Sequence, residues 1–272
     1  MPSKSQKSSS KVNKKPVFSS GFDSNLMRNF KLTVEYDGAN FCGWQFQPGF
    51  RTVQGHLQET LPRIFKKKIN CIASGRTDSG VHALGQVVHF KVDTHMKPAQ
   101  IKRALNAFLD KDVVVVKAQE VALDFHAQYS VKDKTYRYTI LNRNYPSALW
   151  HKKASYYPGK LNLNLMRRAA RDFKGKHDFK SFQAASEASK VKNTVRTISR
   201  LTIVKEKDFV HITVTCNGFL YRMVRNIVGT LLAVGTGKIP ANSVPKLLKA
   251  KDRKLSPPTA HPDGLYLVSV RY

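Results

Sequence analysis

The segment Ser74-Gly75-Arg76-Thr77-Asp78-Ser79-Gly80-Val81-His82-Ala83 constrains the fold of this chain more than any other stretch. Gln86 to Val92 is rich in β-branched residues and predicts a strand, and Asn70 to Ser74 predicts a shorter one. Two strands joined by so few residues require a tight loop. Asp78 then stands on that loop, between a basic residue and a glycine, where a rigid scaffold can present a reactive group. Asp-Ser-Gly is also ordinary turn chemistry. Judged locally the turn reading is the stronger one, and the rest of the chain has to decide.

Order is expected to begin near Phe30, because Phe30, Leu32, Val34 and Tyr36 alternate with polar residues as in a half-buried strand. Thr52 can cap a helix that carries Val53, Leu57, Leu61, Ile64 and Phe65 on one face, with a kink or early end at Pro62. Pro98 opens a second helix with Ile101 and Leu105 on its stripe, and Val113 to Val116 reads as a continuous apolar strand. A second half repeats this style. Lys134 to Leu141 alternates as a strand, and Leu163 to Phe173 has helical spacing. Val195 to Lys205 and Asp208 to Cys216 read as paired strands, Phe219 to Val234 as a long buried helix, and Leu265 to Tyr272 as a final strand. The fold class expected is α+β, with two similar lobes of mostly antiparallel sheet backed by helices and a basic active-site cleft between them. The boundaries expected are a disordered basic arm over 1–28, an N-terminal lobe over 29–130 and a C-terminal lobe over 131–272.

Charge narrows the partners. The chain holds 47 Lys+Arg against 18 Asp+Glu, a net charge of +29. Residues 1–20 contribute five lysines and no acid, so the remainder still carries +24. A field of that size favours a polyanion, with nucleic acid the first candidate. No apolar stretch approaches the ~18 residues of a membrane span, and no basic amphipathic helix with an aromatic face is present, so no membrane partner is expected. Cys42, Cys71 and Cys216 show no metal-type spacing and read as free thiols in a reducing compartment. With no apolar secretory signal at the N-terminus, the cytoplasm is the expected location.

Several motifs lead nowhere. Gly235-Thr236-Gly237-Lys238 follows a helix rather than a strand and lacks phosphate-loop spacing, so Gly235 reads as a helix cap. No histidine pair has metal-ligand spacing, and His177-Asp178 reads as capping at a helix end rather than as a catalytic pair. The stronger constellation is Asp78 with basic and aromatic company. Arg222 and Arg225 fall on the apolar helix, where a charge is expensive unless paired. Tyr136 and Tyr138, flanked by Lys134 and Arg137, interleave rings and cations in a pattern suited to an unpaired base and its phosphates. Cross-strand packing explains those tyrosines equally well.

Taken in order, these blocks resemble the TruA-type tRNA pseudouridine synthase family. The resemblance begins with Tyr36-Asp37-Gly38, Phe41, Gly43-Trp44-Gln45 and Thr52-Val53-Gln54-Gly55. It continues through Gly75-Arg76-Thr77-Asp78, Gly80-Val81-His82-Ala83, Gln86-Val87-Val88-His89-Phe90, Phe125-His126-Ala127 and Tyr136-Arg137-Tyr138. Gly175-Lys176-His177-Asp178-Phe179 with Ser181-Phe182 follows, and Met223-Val224-Arg225-Asn226-Ile227-Val228-Gly229 and Gly264-Leu265-Tyr266-Leu267 complete it. Together they span roughly residues 30–272.

The resemblance implies that Asp78 is the essential catalytic aspartate, that Tyr136 packs against the target uracil, that Arg225 pairs with the aspartate, and that Arg76 helps displace the target nucleotide. It implies isomerisation of uridine to pseudouridine at positions 38 to 40 of the tRNA anticodon stem-loop, by a homodimer with no metal or organic cofactor. Breaking N1–C1′, turning the base and rejoining it through C5 involves no net redox change. The carboxylate can serve as nucleophile at the sugar or the base, or as the base that removes the 2′ proton. The target base must first leave its stack, at a cost of a few kcal/mol. This chain departs from the family pattern at Gln128, where an Arg is usual, at Ser79, where a small Ala is usual, and at His261, which replaces a Pro. Two rivals stay open: a pseudouridine synthase for other RNAs, and a non-catalytic RNA-binding protein, for which the charge alone would suffice.

Overall fold

The structure is a computed structural model that describes residues 27–185 and 193–272. The arm expected over residues 1–28 therefore falls, as far as residue 26, outside the described residues. Met27 and Arg28 already belong to the first strand, β1 (Met27–Tyr36). Helix α1 (Val53–Phe65), strands β2 (Ile72–Ala73) and β3 (His82–Asp93), helix α2 (Pro98–Phe108) and strand β4 (Val113–Val121) complete the first half. The second half runs β5 (Asp133–Leu141), β6 (Ser155–Tyr156), α3 (Leu163–Arg171), β7 (Gly175–Asp178), β8 (Val195–Glu206), β9 (Phe209–Cys216), α4 (Met223–Gly235), α5 (Ser243–Ala250) and β10 (Leu265–Arg271).

All ten strands share one sheet, ordered β4-β1-β3-β10-β5-β9-β8-β7, with β2 on β3 and β6 on β5. Pairing is antiparallel within each half, apart from the short parallel contact of β6. The halves join where β10 runs parallel to β3, with Tyr266 opposite His82 and Leu267 opposite Ala83, while its other edge pairs antiparallel with β5. The mixed α+β architecture is thus as expected, and its two half-sheets are continuous. Alternation in β1 buries Phe30, Leu32, Val34 and Tyr36, and one apolar cluster links them to Leu57 and Leu61 of α1, Leu105 of α2, and Ile227 and Leu231 of α4.

Local departures from the sequence reading have physical causes. Val114 and Val116 are exposed because residues of β4 alternate between faces, and α2 packs on the strand while Val113 and Val115 are buried. Helix α1 continues through Pro62 to Phe65, since the proline sits in the last turn; Lys66, at φ 56°, caps it by donating to the Pro62 carbonyl at 2.9 Å. Helix α4 begins at Met223 rather than Phe219, because Arg222 takes a left-handed conformation (φ 58°) at the N-cap. Its C-terminal stop comes from Gly237, not Gly235. Gly237 has φ 74°, and the amides of Gly237 and Lys238 bond the Val234 and Ala233 carbonyls. Gly235 is needed for another reason: a β-carbon there would lie 2.6 Å from the Met166 sulfur. His177-Asp178 ends strand β7 rather than a helix, and Asp178 accepts from the Thr194 hydroxyl and pairs with Lys251.

Candidate active site

Asp78 lies in the loop between β2 and β3, held from both sides. On the sheet side, the Ser74 amide continues the ladder to the Val87 carbonyl at 2.8 Å, and its hydroxyl donates to Gln86 Oε1 at 2.7 Å. The buried Gln86 also donates from Nε2 to the Gly75 carbonyl at 2.9 Å. On the other side, the Trp44 amide donates to the Thr77 carbonyl at 3.1 Å. The backbone at Gly43 approaches so closely, with φ +86°, that a β-carbon would meet the Thr77 oxygen at 2.7 Å. Tyr36 and Thr77 share a buried hydroxyl–hydroxyl bond of 2.8 Å. A bond from the Val81 amide to the Asp78 carbonyl at 3.1 Å and the positive φ of Gly80 close the turn. Ser79 fits the same frame, since its hydroxyl donates to the Phe41 carbonyl.

Arg225, in the first turn of α4, meets this loop. Its Nη1 donates to Asp78 Oδ2 at 2.8 Å, and its Nε donates to the Ala260 carbonyl at 2.8 Å. The Ala260 amide returns a bond to the Arg225 carbonyl at 3.1 Å, so the guanidinium is fixed by the backbone as well as by the carboxylate. The two side chains are 12% and 19% exposed, mostly shielded yet reachable from the cleft. Arg222 behaves differently. It is exposed at the helix start with its guanidinium 4.9 Å from the Tyr221 ring centroid, and it needs no buried counter-charge.

Tyr136 projects from β5 into the same cleft and is buried, with Phe219 edge-on at 5.0 Å. Burial holds its phenol far above the usual tyrosine pKa, with the nearby Tyr36 and Asp78 pushing in the same direction. Arg76 lines the cleft, is exposed, and has no hydrogen-bond or ion-pair partner among the described residues. All four residues singled out in the sequence therefore line one cleft of about 890 Å³, whose walls come from both halves of the chain. Gln128 stands at its edge, whereas His261 is exposed and pairs with Asp263.

The cleft also contains Arg196 and Phe219, which sequence reasoning did not assign to the site, and Lys134, which it names only as a cation flanking Tyr136. Lys134 lines the cleft with Tyr136 because residues two apart on a strand share a face. Phe219 had been drawn into a helix that starts four residues later. Among the described residues no group of three or more His, Cys, Asp or Glu side chains is arranged to hold a metal ion, and no helix is long and apolar enough to cross a membrane. Chemically, the arrangement offers one aimed carboxylate, an aromatic wall and a rim of cations.

Similarity to known proteins agrees with that geometry. A family model described as tRNA pseudouridine synthase matches residues 32–130 and 169–272. The chain is 46% identical over 246 residues to tRNA pseudouridine synthase A of Thermoanaerobacter sp. (strain X514), covering 90% of this chain and 100% of that protein. It is 44% identical to the protein of the same name from Acetivibrio thermocellus, with the same coverage of both chains. Likeness to solved structures is loose. Overlap with a chain of a Cbf5-Nop10-Gar1 complex gives a TM-score of 0.31 at 16% identity, covering 74% of this chain and 54% of that one, too little to carry any argument.

Proposed function

This chain belongs to the tRNA pseudouridine synthase family, and we propose that it converts uridines at positions 38 to 40 of the tRNA anticodon stem-loop. It is an isomerase that acts on tRNA. The observation that carries the reading is the 2.8 Å pair of Asp78 and Arg225 in a basic cleft, with Tyr136 beside it. A pure RNA binder has no use for an aimed carboxylate among phosphates, which it repels.

In this reading, an extruded uridine packs its base on Tyr136, which offsets part of the cost of unstacking. Arg76, free of protein partners among the described residues, occupies the space the nucleotide vacates or meets its phosphate. Arg225 fixes the orientation of Asp78, so that one carboxylate oxygen stays aimed at the sugar or the base. Attack by that oxygen, at C1′ or on the ring, and removal of the 2′ proton are the steps open to it. Each route breaks N1–C1′ and lets the uracil turn and rejoin through C5, which gives up its proton while N1 gains one.

The protein is further proposed to act as a homodimer in the cytoplasm, where its three free cysteines stay reduced. Light scattering should then return about twice the 30.7 kDa of one chain. The activity is tested by mapping pseudouridine in tRNA from cells with and without the protein, and in a transcript treated with the purified enzyme. Loss confined to positions 38 to 40 supports the reading. Loss at other sites points to another RNA target, and tRNA binding without any pseudouridine points to the non-catalytic rival.

A further inference from the structure

Lys134 lies two residues before Tyr136 on β5 and lines the same cleft, yet the proposed reaction gives its charge no task. Side chains two apart on a strand share a face, about 7 Å apart along it. Its Nζ donates to the Ser74 carbonyl at 2.5 Å, and a β-carbon on Gly75 would come within 2.5 Å of the same nitrogen. The ammonium is thus wedged against the loop that carries Asp78. It forms no ion pair among the described residues: Asp78 is taken by Arg225, and Asp133 by Arg271.

The groups that share the cleft with it are Arg76 and Asp78 on the loop, Tyr136 on its own strand, Arg196 on β8, and Arg222 and Arg225 at the start of α4. Its strand partners are Cys216 on β9 and Val270 on β10. The cations outnumber the carboxylate, so this corner of the cleft lacks an anion. Burial lowers the Lys134 pKa to about 8. An ammonium has three donors, of which the Ser74 carbonyl takes one.

We propose that Lys134 binds a backbone phosphate of the RNA next to the target uridine. A nucleotide whose base lies on Tyr136 carries its phosphate at a distance comparable to the spacing of the two side chains. The phosphate supplies the missing counter-charge, so the neutral fraction of Lys134 takes a proton from solvent as RNA binds. The inference rests on reading the cleft as the tRNA site.

The test measures Kd of full-length protein for an unmodified tRNA transcript between pH 7 and 9 at constant salt. Wild type should weaken about tenfold over that range, as a group of pKa about 8 loses its proton in the free protein but keeps it in the complex. Lys134→Gln should bind weakly at both ends with no such dependence, and Lys134→Arg, always charged, tightly at both ends. The unaltered protein is also tested on RNA with uncharged methylphosphonate linkages flanking the uridine that mapping identifies, where the pH dependence should vanish. This arm decides even where a variant fails to fold. Equal pH dependence in wild type and Lys134→Gln, or dependence that survives the uncharged linkages, overturns the proposal. Absence of pseudouridine at positions 38 to 40 would instead sink the substrate reading, and the pH profile on the same RNA is read independently of it.

Discussion

Asp78 and Arg225, 147 residues apart in the chain, meet at 2.8 Å, and the arginine is anchored a second time by the Ala260 carbonyl. The carboxylate is therefore positioned by one half of the chain and aimed by the other. The two functions can be separated by mutation.

Asp78→Asn keeps the shape and loses the charge. Turnover should fall by roughly 100- to 10,000-fold or more, since the only carboxylate among the described residues that line the cleft is gone. The tRNA Kd should stay within about threefold, because phosphate contacts come from other residues. Single-turnover assays alongside filter binding check both numbers; an Asn variant with near-native turnover would remove Asp78 from the chemistry.

Arg225→Met leaves both the Asp78 carboxylate and the Ala260 carbonyl without their donor. The pair is partly reachable by solvent, so stability should drop by about 1–3 kcal/mol rather than collapse. Turnover should fall far more than binding. Urea denaturation gives the first quantity and kcat against KM the second.

Gly43→Ala tests the frame rather than the chemistry. The position has φ +86°, and an added methyl carbon would lie 2.7 Å from the Thr77 oxygen, one residue before Asp78. A loss of at least ~1–3 kcal/mol is expected from the backbone conformation alone. Since relief of the clash requires movement of the loop, kcat should fall even at temperatures where the variant is fully folded. Unchanged kcat in a folded Gly43→Ala protein would mean that the loop tolerates displacement.

The contribution of Lys134 to stability should rise with pH through a specific window. Lys134 titrates at about 8 when folded and at the ordinary 10.5 when unfolded. Between those values the unfolded chain binds more protons, and raising the pH favours the folded state. Denaturation midpoints of wild type should therefore gain on those of Lys134→Met between pH 8 and 10.5. A constant difference between the two proteins across that window would show that burial does not perturb the lysine.

The residues of this site were legible from short motifs and from the family resemblance those motifs carry. An arginine among Met223, Val224, Ile227 and Val228 needed a carboxylate, a phosphate or a route to solvent, and the family resemblance is what pointed to Asp78. Strand alternation gave the faces of β1 and β5. What stayed hidden depends on backbone angles and distant pairing. No periodicity reveals that Arg222 adopts φ 58° and starts α4 late, freeing Phe219 to line the cleft against Tyr136. The apolar run at Val113 to Val116 could not show that β4 buries alternate residues and leaves Val114 and Val116 exposed. Alternation put Lys134 on the face of Tyr136 but could not say that the Ser74 carbonyl would be waiting there.

The place of β10 in the sheet has a consequence in time. Strands β3 and β5 are each completed by a segment synthesised after every other strand of the described residues. Until it emerges, each half offers an open edge of unpaired amides and carbonyls, the kind of template on which nascent chains stick to one another. The residues that meet across the cleft have no common frame during that interval. Emergence of Leu265–Arg271 from the ribosome is then the event that converts two incomplete halves into one enzyme, and stalling just before it should yield aggregates rather than a partly active protein.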